Sequence, residues 1–129
     1  MKKVSTAATK QSRNISQQRL TIGLDLGDRN SCYCVLDEAG RIQLEQRVRT
    51  TAKALQEVFG AMPRSRVALE IGTHSPWISR LLSKLGHEVI VANARKVRLI
   101  GENRKKDDRL DAQTLARLAR IDPQWLCVR

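Results

Sequence analysis

Leu20-Thr21-Ile22-Gly23-Leu24-Asp25-Leu26-Gly27 (residues 20–27) is the stretch from which the architecture unfolds. Its apolar run, closed by Gly27-Asp28, reads as a short buried strand. An ionised carboxylate near the end of such a strand is costly unless something cationic neutralises it, so Asp25 reads as a placed acid. Ser31 to Leu36 is a second apolar run and Asp37-Glu38-Ala39-Gly40 a turn. Arg41 to Arg49 then alternates polar and apolar residues, which completes a three-stranded antiparallel meander. Its first strand carries Asp25.

Downstream the pattern changes period. Thr51 opens a helix with Ala54, Leu55, Val58 and Phe59 at helical spacing, and Gly60 and Pro63 close it. Arg66 to Ile71 is a fourth strand carrying Glu70 and ending at Gly72. Ser75-Pro76 starts a helix lined by Ile78, Leu81, Leu82 and Leu85 and stopped by Gly86. Glu88 to Ala92 is a fifth strand. A short helical stretch from Ala94 to Ile100, a basic loop from Gly101 to Lys106 and a last helix from about Asp108 to Ile121 follow, with Leu110, Leu115 and Leu118 on its apolar side. Asp122-Pro123 ends that helix, and Trp125 to Val128 is expected as a strand fragment. The order β-β-β-α-β-α-β-α predicts an α/β, ribonuclease H-like mixed sheet: an antiparallel meander plus parallel strands, flanked by helices. In such sheets ligands collect outside the carboxyl ends of strands, where Asp25 and Glu70 both fall.

The chain has 129 residues and a formal net charge of +11, one domain's worth of sequence with a concentrated basic excess. Residues 1–18 are polar and basic, lack hydrophobic periodicity, and read as a flexible arm before a domain spanning 19–129. A second basic cluster comprises Arg95, Lys96, Arg98, Arg104, Lys105, Lys106 and Arg109. Such patches attract polyanions through counterion release, which makes nucleic acid the expected partner. Only Tyr33, Phe59, Trp77 and Trp125 are aromatic, too few for the stacking platforms of single-strand readers, so phosphate contacts should lead. Cys32 and Cys34 lie two apart, which is no zinc spacing, and the three cysteines fit thiols in a reducing compartment. The basic N-terminus lacks an apolar signal core and no run approaches the roughly 18 apolar residues of a membrane span, so a cytoplasmic, membrane-free protein is expected.

Asp108 and Asp111 stand three apart at the start of the last predicted helix, where their side chains can approach a common point. Capping and the helix dipole also favour Asp there without any chemistry, and Asp107 fits that description best. Asp25 could likewise form a strand-end turn and Glu70 could pair with an Arg. Together, Asp25, Glu70, Asp108 and Asp111 make a plausible cage for two Mg²⁺ ions, with Mn²⁺ as substitute, since hard cations take oxygen ligands. Two such ions about 3.5–4 Å apart activate a nucleophile and stabilise a leaving oxygen in phosphodiester cleavage. Lys105, Lys106 and Arg109 would then hold phosphates. His74 reads as a surface residue at the start of a helix rather than a catalyst. Gly23-x-Asp25-x-Gly27 is also similar to the first phosphate loop of sugar-kinase and actin-like ATPases, a reading that needs a second lobe.

Four blocks carry a resemblance: Gly23 to Gly27, Ala68-Leu69-Glu70-Ile71-Gly72-Thr73, Val91-Ala92-Asn93-Ala94-Arg95-Lys96, and Lys106-Asp107-Asp108-Arg109-Leu110-Asp111-Ala112 followed by Leu115-Ala116. Over about residues 20–125 the chain resembles the N-terminal domain of DEDD transposases of the insertion-sequence 110 type, relatives of the Piv invertases and of RuvC-like Holliday-junction resolvases. The resemblance implies Asp25 and Glu70 as strand acids, Asp108 and Asp111 as helix acids, Mg²⁺ as cofactor and DNA as substrate. It further implies action within a homo-oligomer, in many members guided by a structured noncoding RNA. A C-terminal domain supplies a nucleophilic serine in that family, and a chain ending at Arg129 is expected to be a truncated or isolated first domain. Ser31, Ser65, Ser75, Ser79 and Ser83 are not expected to replace that serine. Two other readings stand beside this one: a non-catalytic nucleic-acid-binding module or inactive transposase remnant, and a standalone RuvC-type resolvase.

Overall fold

The structure, a computed structural model, describes residues 19–93 and 111–126. The basic arm 1–18, the helical stretch 94–100, the loop 101–106, residues 107–110 and the last three residues lie outside the described residues.

Five strands form one sheet: β1 (Thr21–Asp25), β2 (Asn30–Leu36), β3 (Ile42–Arg49), β4 (Arg66–Glu70) and β5 (Glu88–Ala92), in the order β3-β2-β1-β4-β5. β1, β2 and β3 pair antiparallel, whereas β1–β4 and β4–β5 are parallel. The meander and the parallel extension are therefore as the residue pattern indicates, and the mixed sheet flanked by helices is that of a ribonuclease H-like α/β fold. The turn between β2 and β3 is built by Asp37, whose Oδ1 accepts the N–H groups of Ala39 and Arg41, both at 2.9 Å. Gly40 completes it at φ 85°, a left-handed conformation that favours glycine.

Helices α1 (Ala52–Gly60) and α2 (Ser75–Lys84) are the parallel crossovers. Thr51 caps α1 by accepting the Ala54 N–H at 3.1 Å. Pro76 sits in the first turn of α2, where its missing N–H costs nothing. Both helices lie on one face of the sheet, where Leu55, Phe59, Ile78 and Leu82 pack on Ile22, Leu24, Val67 and Leu69, all fully buried. Each such side chain contributes about 1.5–3 kcal/mol on burial. His87 is buried among them with both ring nitrogens used: Nδ1 accepts from Ser65 N–H at 3.1 Å and Nε2 donates to Phe59 O at 2.7 Å.

The opposite face is covered by α3 (Ala112–Ile121), whose Leu115, Ala116 and Ala119 are fully buried against Ala68, Ile90, Cys34 and Leu36. Small residues on both sides allow a close crossing. A Cβ on Gly23 would collide with Ala112 O and lie 2.6 Å from Ala116 N, so the glycine in the opening motif is required by α3. Arg66 donates to Ala119 O at 3.3 Å and Arg120 to Glu38 O at 3.1 Å, which fixes the C-terminal end of α3 at the amino end of β1 and β4. Its N-terminus accordingly stands toward their carboxyl ends.

Two boundaries depart from the sequence expectation. The last helix begins at Ala112, not near Asp108: Asp111 is its extended N-cap (φ −78°, ψ 170°) and its Oδ1 accepts the Thr114 N–H at 2.8 Å. Asp111 therefore stands at the edge of that helix as its cap rather than within its first turn, and Asp108 lies outside the described residues. The residues after Pro123 form a one-turn helix, α4 (Pro123–Leu126), instead of the start of a strand. Proline at a helix start, with its φ already set, explains that choice.

Candidate functional site

Alternation along β1 sends Ile22 and Leu24 to the α1–α2 face, so Gly23 and Asp25 face α3. Along β4, Val67 and Leu69 share the first face while Ala68 packs toward α3, and Glu70 follows Ala68. The last registered pair of these parallel strands is Leu24 with Leu69. One step further on, Asp25 and Glu70 end neighbouring strands on the same face, with backbones about 4.8 Å apart. Two carboxylates are thereby brought side by side at the carboxyl end of the sheet, both half-buried.

These two acids line one cleft of about 230 Å³ with Leu26, Gly27, Asp28, Ile71, Gly72, Thr73 and His74. The loop after β1 is pinned from below by a buried hydroxyl pair. Gly27 N–H donates to Ser31 Oγ (3.3 Å), Thr50 Oγ1 donates to Gly27 O (2.8 Å), and Ser31 Oγ lies 2.7 Å from Thr50 Oγ1. Since Thr50 spends its proton on Gly27 O, Ser31 donates to Thr50. The loop after β4 is held similarly: Ser75 Oγ accepts the Gly72 N–H at 3.0 Å and donates to Gly72 O at 2.8 Å. Ser65 Oγ donates to Pro63 O at 2.7 Å. Ser31, Ser65 and Ser75 are buried, with their hydroxyls engaged in these hydrogen bonds.

His74 is placed by both the helix and the cleft. It is the N-cap of α2, as a residue at the start of a helix should be, yet it also forms a wall of the cleft. Trp77 Nε1 can only donate, and it does so to His74 Nδ1 at 3.0 Å. The imidazole proton therefore sits on Nε2, which lies 3.3 Å from Asp28 Oδ1. In this tautomer Nε2 is a hydrogen-bond donor facing the cleft mouth, not a metal ligand. The i, i+3 spacing of His74 and Trp77 on one helix was the available signal.

Asp111 is not among the residues lining the cleft; Oδ1 caps α3. Asp108 and the basic residues Arg95, Lys96, Arg98, Arg104, Lys105, Lys106 and Arg109 lie outside the described residues. Their described neighbours, Asn93 after β5 and Asp111 before α3, flank that segment. Among the described residues no group of three His, Cys, Asp or Glu side chains forms a metal site. The cleft lining thus holds three carboxylates, of which Asp28 faces His74 and Asp25 and Glu70 end neighbouring strands; that pair is a chemistry suited to a hard divalent cation that takes further oxygen ligands. No described helix is long and apolar enough to cross a membrane.

A family model described as a transposase, that of the DEDD transposases of the insertion-sequence 110 type, matches residues 22–127. No curated protein matches the chain significantly. Among solved structures, the ethanolamine utilization protein EutJ from Carboxydothermus hydrogenoformans is similar at 15% identity and TM-score 0.43, over 64% of this chain and 40% of that one. A ROK family glucokinase from Streptomyces griseus, solved with glucose and AMPPNP, is similar at 20% identity and TM-score 0.41, over 70% and 38%. The chain spans about two fifths of the length of each of these proteins.

Proposed function

Because the chain belongs to the DEDD transposase family of the insertion-sequence 110 type, we propose that it is the carboxylate domain of a DNA transposase, with Asp25 and Glu70 at its centre. The single observation that carries this reading is their convergence: two acids from strands far apart in sequence end side by side in one cleft. Asp108 and Asp111 complete the ligand set by family correspondence, and Mg²⁺, or Mn²⁺ in its place, is the cation such oxygen donors suit. When bound, divalent ions in such a set polarise the phosphodiester and stabilise the leaving oxygen.

The chain's own residues do the positioning. The Ser31–Thr50 pair and Ser75 hold the two loops so that Asp25 and Glu70 keep a fixed separation. The Nε2–H of His74 offers a neutral donor at the cleft mouth. Arg95, Lys96, Arg98, Arg104, Lys105, Lys106 and Arg109 are proposed phosphate contacts. A serine nucleophile from a further domain, a guide RNA and homo-oligomerisation belong to the same proposal and rest on family membership.

The alternative of a different class is a charge-driven nucleic-acid-binding module. The two separate in an anisotropy assay with labelled duplex DNA. The transposase reading predicts tighter binding with Mg²⁺ than with EDTA at constant ionic strength, a difference lost in Asp25→Asn and Glu70→Gln. Binding equally indifferent to Mg²⁺ and to both substitutions would support the module instead.

A further inference from the structure

Strand register sets Asp25 in a row that extends away from Glu70 as well as toward it. Asp25 pairs with Cys32, and Cys32 pairs with Arg47 on the edge strand β3. On β3, Val48 is buried on the α1–α2 face, so Arg47 and Arg49 point to the face that carries Asp25 and Glu70. Glu70, Asp25, Cys32 and Arg47 thus form one lateral row on one face. At about 4.8 Å per strand, Arg47 starts about 10 Å from Asp25.

This row is open. α3 reaches only the row before it, where Ala112 sits over Gly23 and Gln113 Nε2 donates to Glu45 Oε2 at 2.8 Å. Cys32, Arg47 and Arg49 are exposed. Neither arginine makes an ion pair among the described residues, in contrast to Arg41 with Asp37 and Arg66 with Glu88. Asn30, exposed and paired with Arg49, adds an amide at the same end.

We infer that Arg47 and Arg49 form a phosphate-binding flank for the DNA strand that crosses the Asp25–Glu70 cleft, on the β2–β3 side of the carboxylates. The inference rests on the proposed function, and it adds a contact surface to the basic residues 95–109. Two unpaired guanidinium groups on an exposed edge, in line with a pair of carboxylates, fit a polyanion running past the cleft. A strand rises about 3.4 Å per nucleotide, so the Asp25-to-Arg47 interval corresponds to about three nucleotides.

The test measures duplex DNA affinity by anisotropy across a potassium chloride series, for the parent chain, R47A/R49A, R47K/R49K, and the control R64A/K84A. Arg64 and Lys84 are exposed at the opposite end of the sheet and remove the same charge. The expected result is about tenfold weaker binding for R47A/R49A and a log–log salt slope shallower by about 1.8, or 0.9 per phosphate. R47K/R49K should restore the slope, and the control should keep it. DNA should also slow alkylation of Cys32 in the parent, read by peptide mass. An unchanged slope in R47A/R49A, an equal change in the control, or an effect confined to RNA of the same length would overturn the inference. Calorimetric Mn²⁺ affinity, unchanged in R47A/R49A, separates the two claims. Parent chain that binds Mn²⁺ and DNA with an unaltered R47A/R49A slope refutes the flank alone, whereas parent chain that binds no DNA refutes both.

Discussion

Asp111 closes the first turn of α3 with Oδ1, and capping uses that oxygen as an acceptor rather than as a charge. The two duties assigned to the residue, cap and metal ligand, are therefore separable by substitution. Asn caps about as well as Asp, so Asp111→Asn should leave the urea midpoint nearly unchanged, while Asp111→Ala should cost about 1 kcal/mol. If Oδ2 also serves a cation, Asp111→Asn weakens Mn²⁺ binding at unchanged stability, which is the expected outcome of calorimetry on the two variants. At this scale the sequence singles out candidate acids but not what each does in the fold. The spacing of Asp108 and Asp111 is compatible with a helix face and with a cap, and for Asp111 the Thr114 N–H identifies the cap. The place of His74 at the start of a helix was legible, whereas its contact with Asp28, 46 residues away, was not.

Elements were legible where local chemistry and packing agree. Thr51, Pro76 and Gly86 punctuate α1 and α2 as expected from capping, fixed φ and left-handed geometry, Gly86 at φ 98°. Trp125 to Val128 read as a strand fragment because Trp, Leu and Val are common in strands, but Pro123 starts a one-turn helix that runs to Leu126. The β2–β3 turn makes a pH-dependent contribution. The Arg41 N–H, followed by that of Ala39, holds the Asp37 carboxyl below its ordinary value, against a partial opposing push from desolvation. A carboxyl depressed in the folded state stabilises above its unfolded pKa, and the contribution is lost as pH falls through the folded one. Urea midpoints measured from pH 5 downward should therefore decline less steeply in Asp37→Asn than in the parent. Parallel declines would show that the turn carries no such linkage.

For the whole molecule, the alternation of strand and helix signals was sufficient to place a five-stranded mixed sheet with helices on both faces. The sequence alone did not specify how the faces are divided. Gly23 shows why: its role depends on Ala112 and Ala116, far along the chain, lying where its side chain would be. The row Glu70–Asp25–Cys32–Arg47 is likewise a property of register, which local pattern does not reveal. The sheet brings the two strand acids to one cleft and leaves Arg47 and Arg49 of β3 exposed beside them. Titration of Mn²⁺ into the parent chain and into Asp25→Asn and Glu70→Gln, by calorimetry, tests the claim that this convergence makes a cation site. The predicted result is binding by the parent that weakens at least about tenfold in each variant, a loss of about 1.4 kcal/mol, with the unfolding midpoint retained. Equal affinity in all three proteins, or no binding by a folded parent, would contradict it.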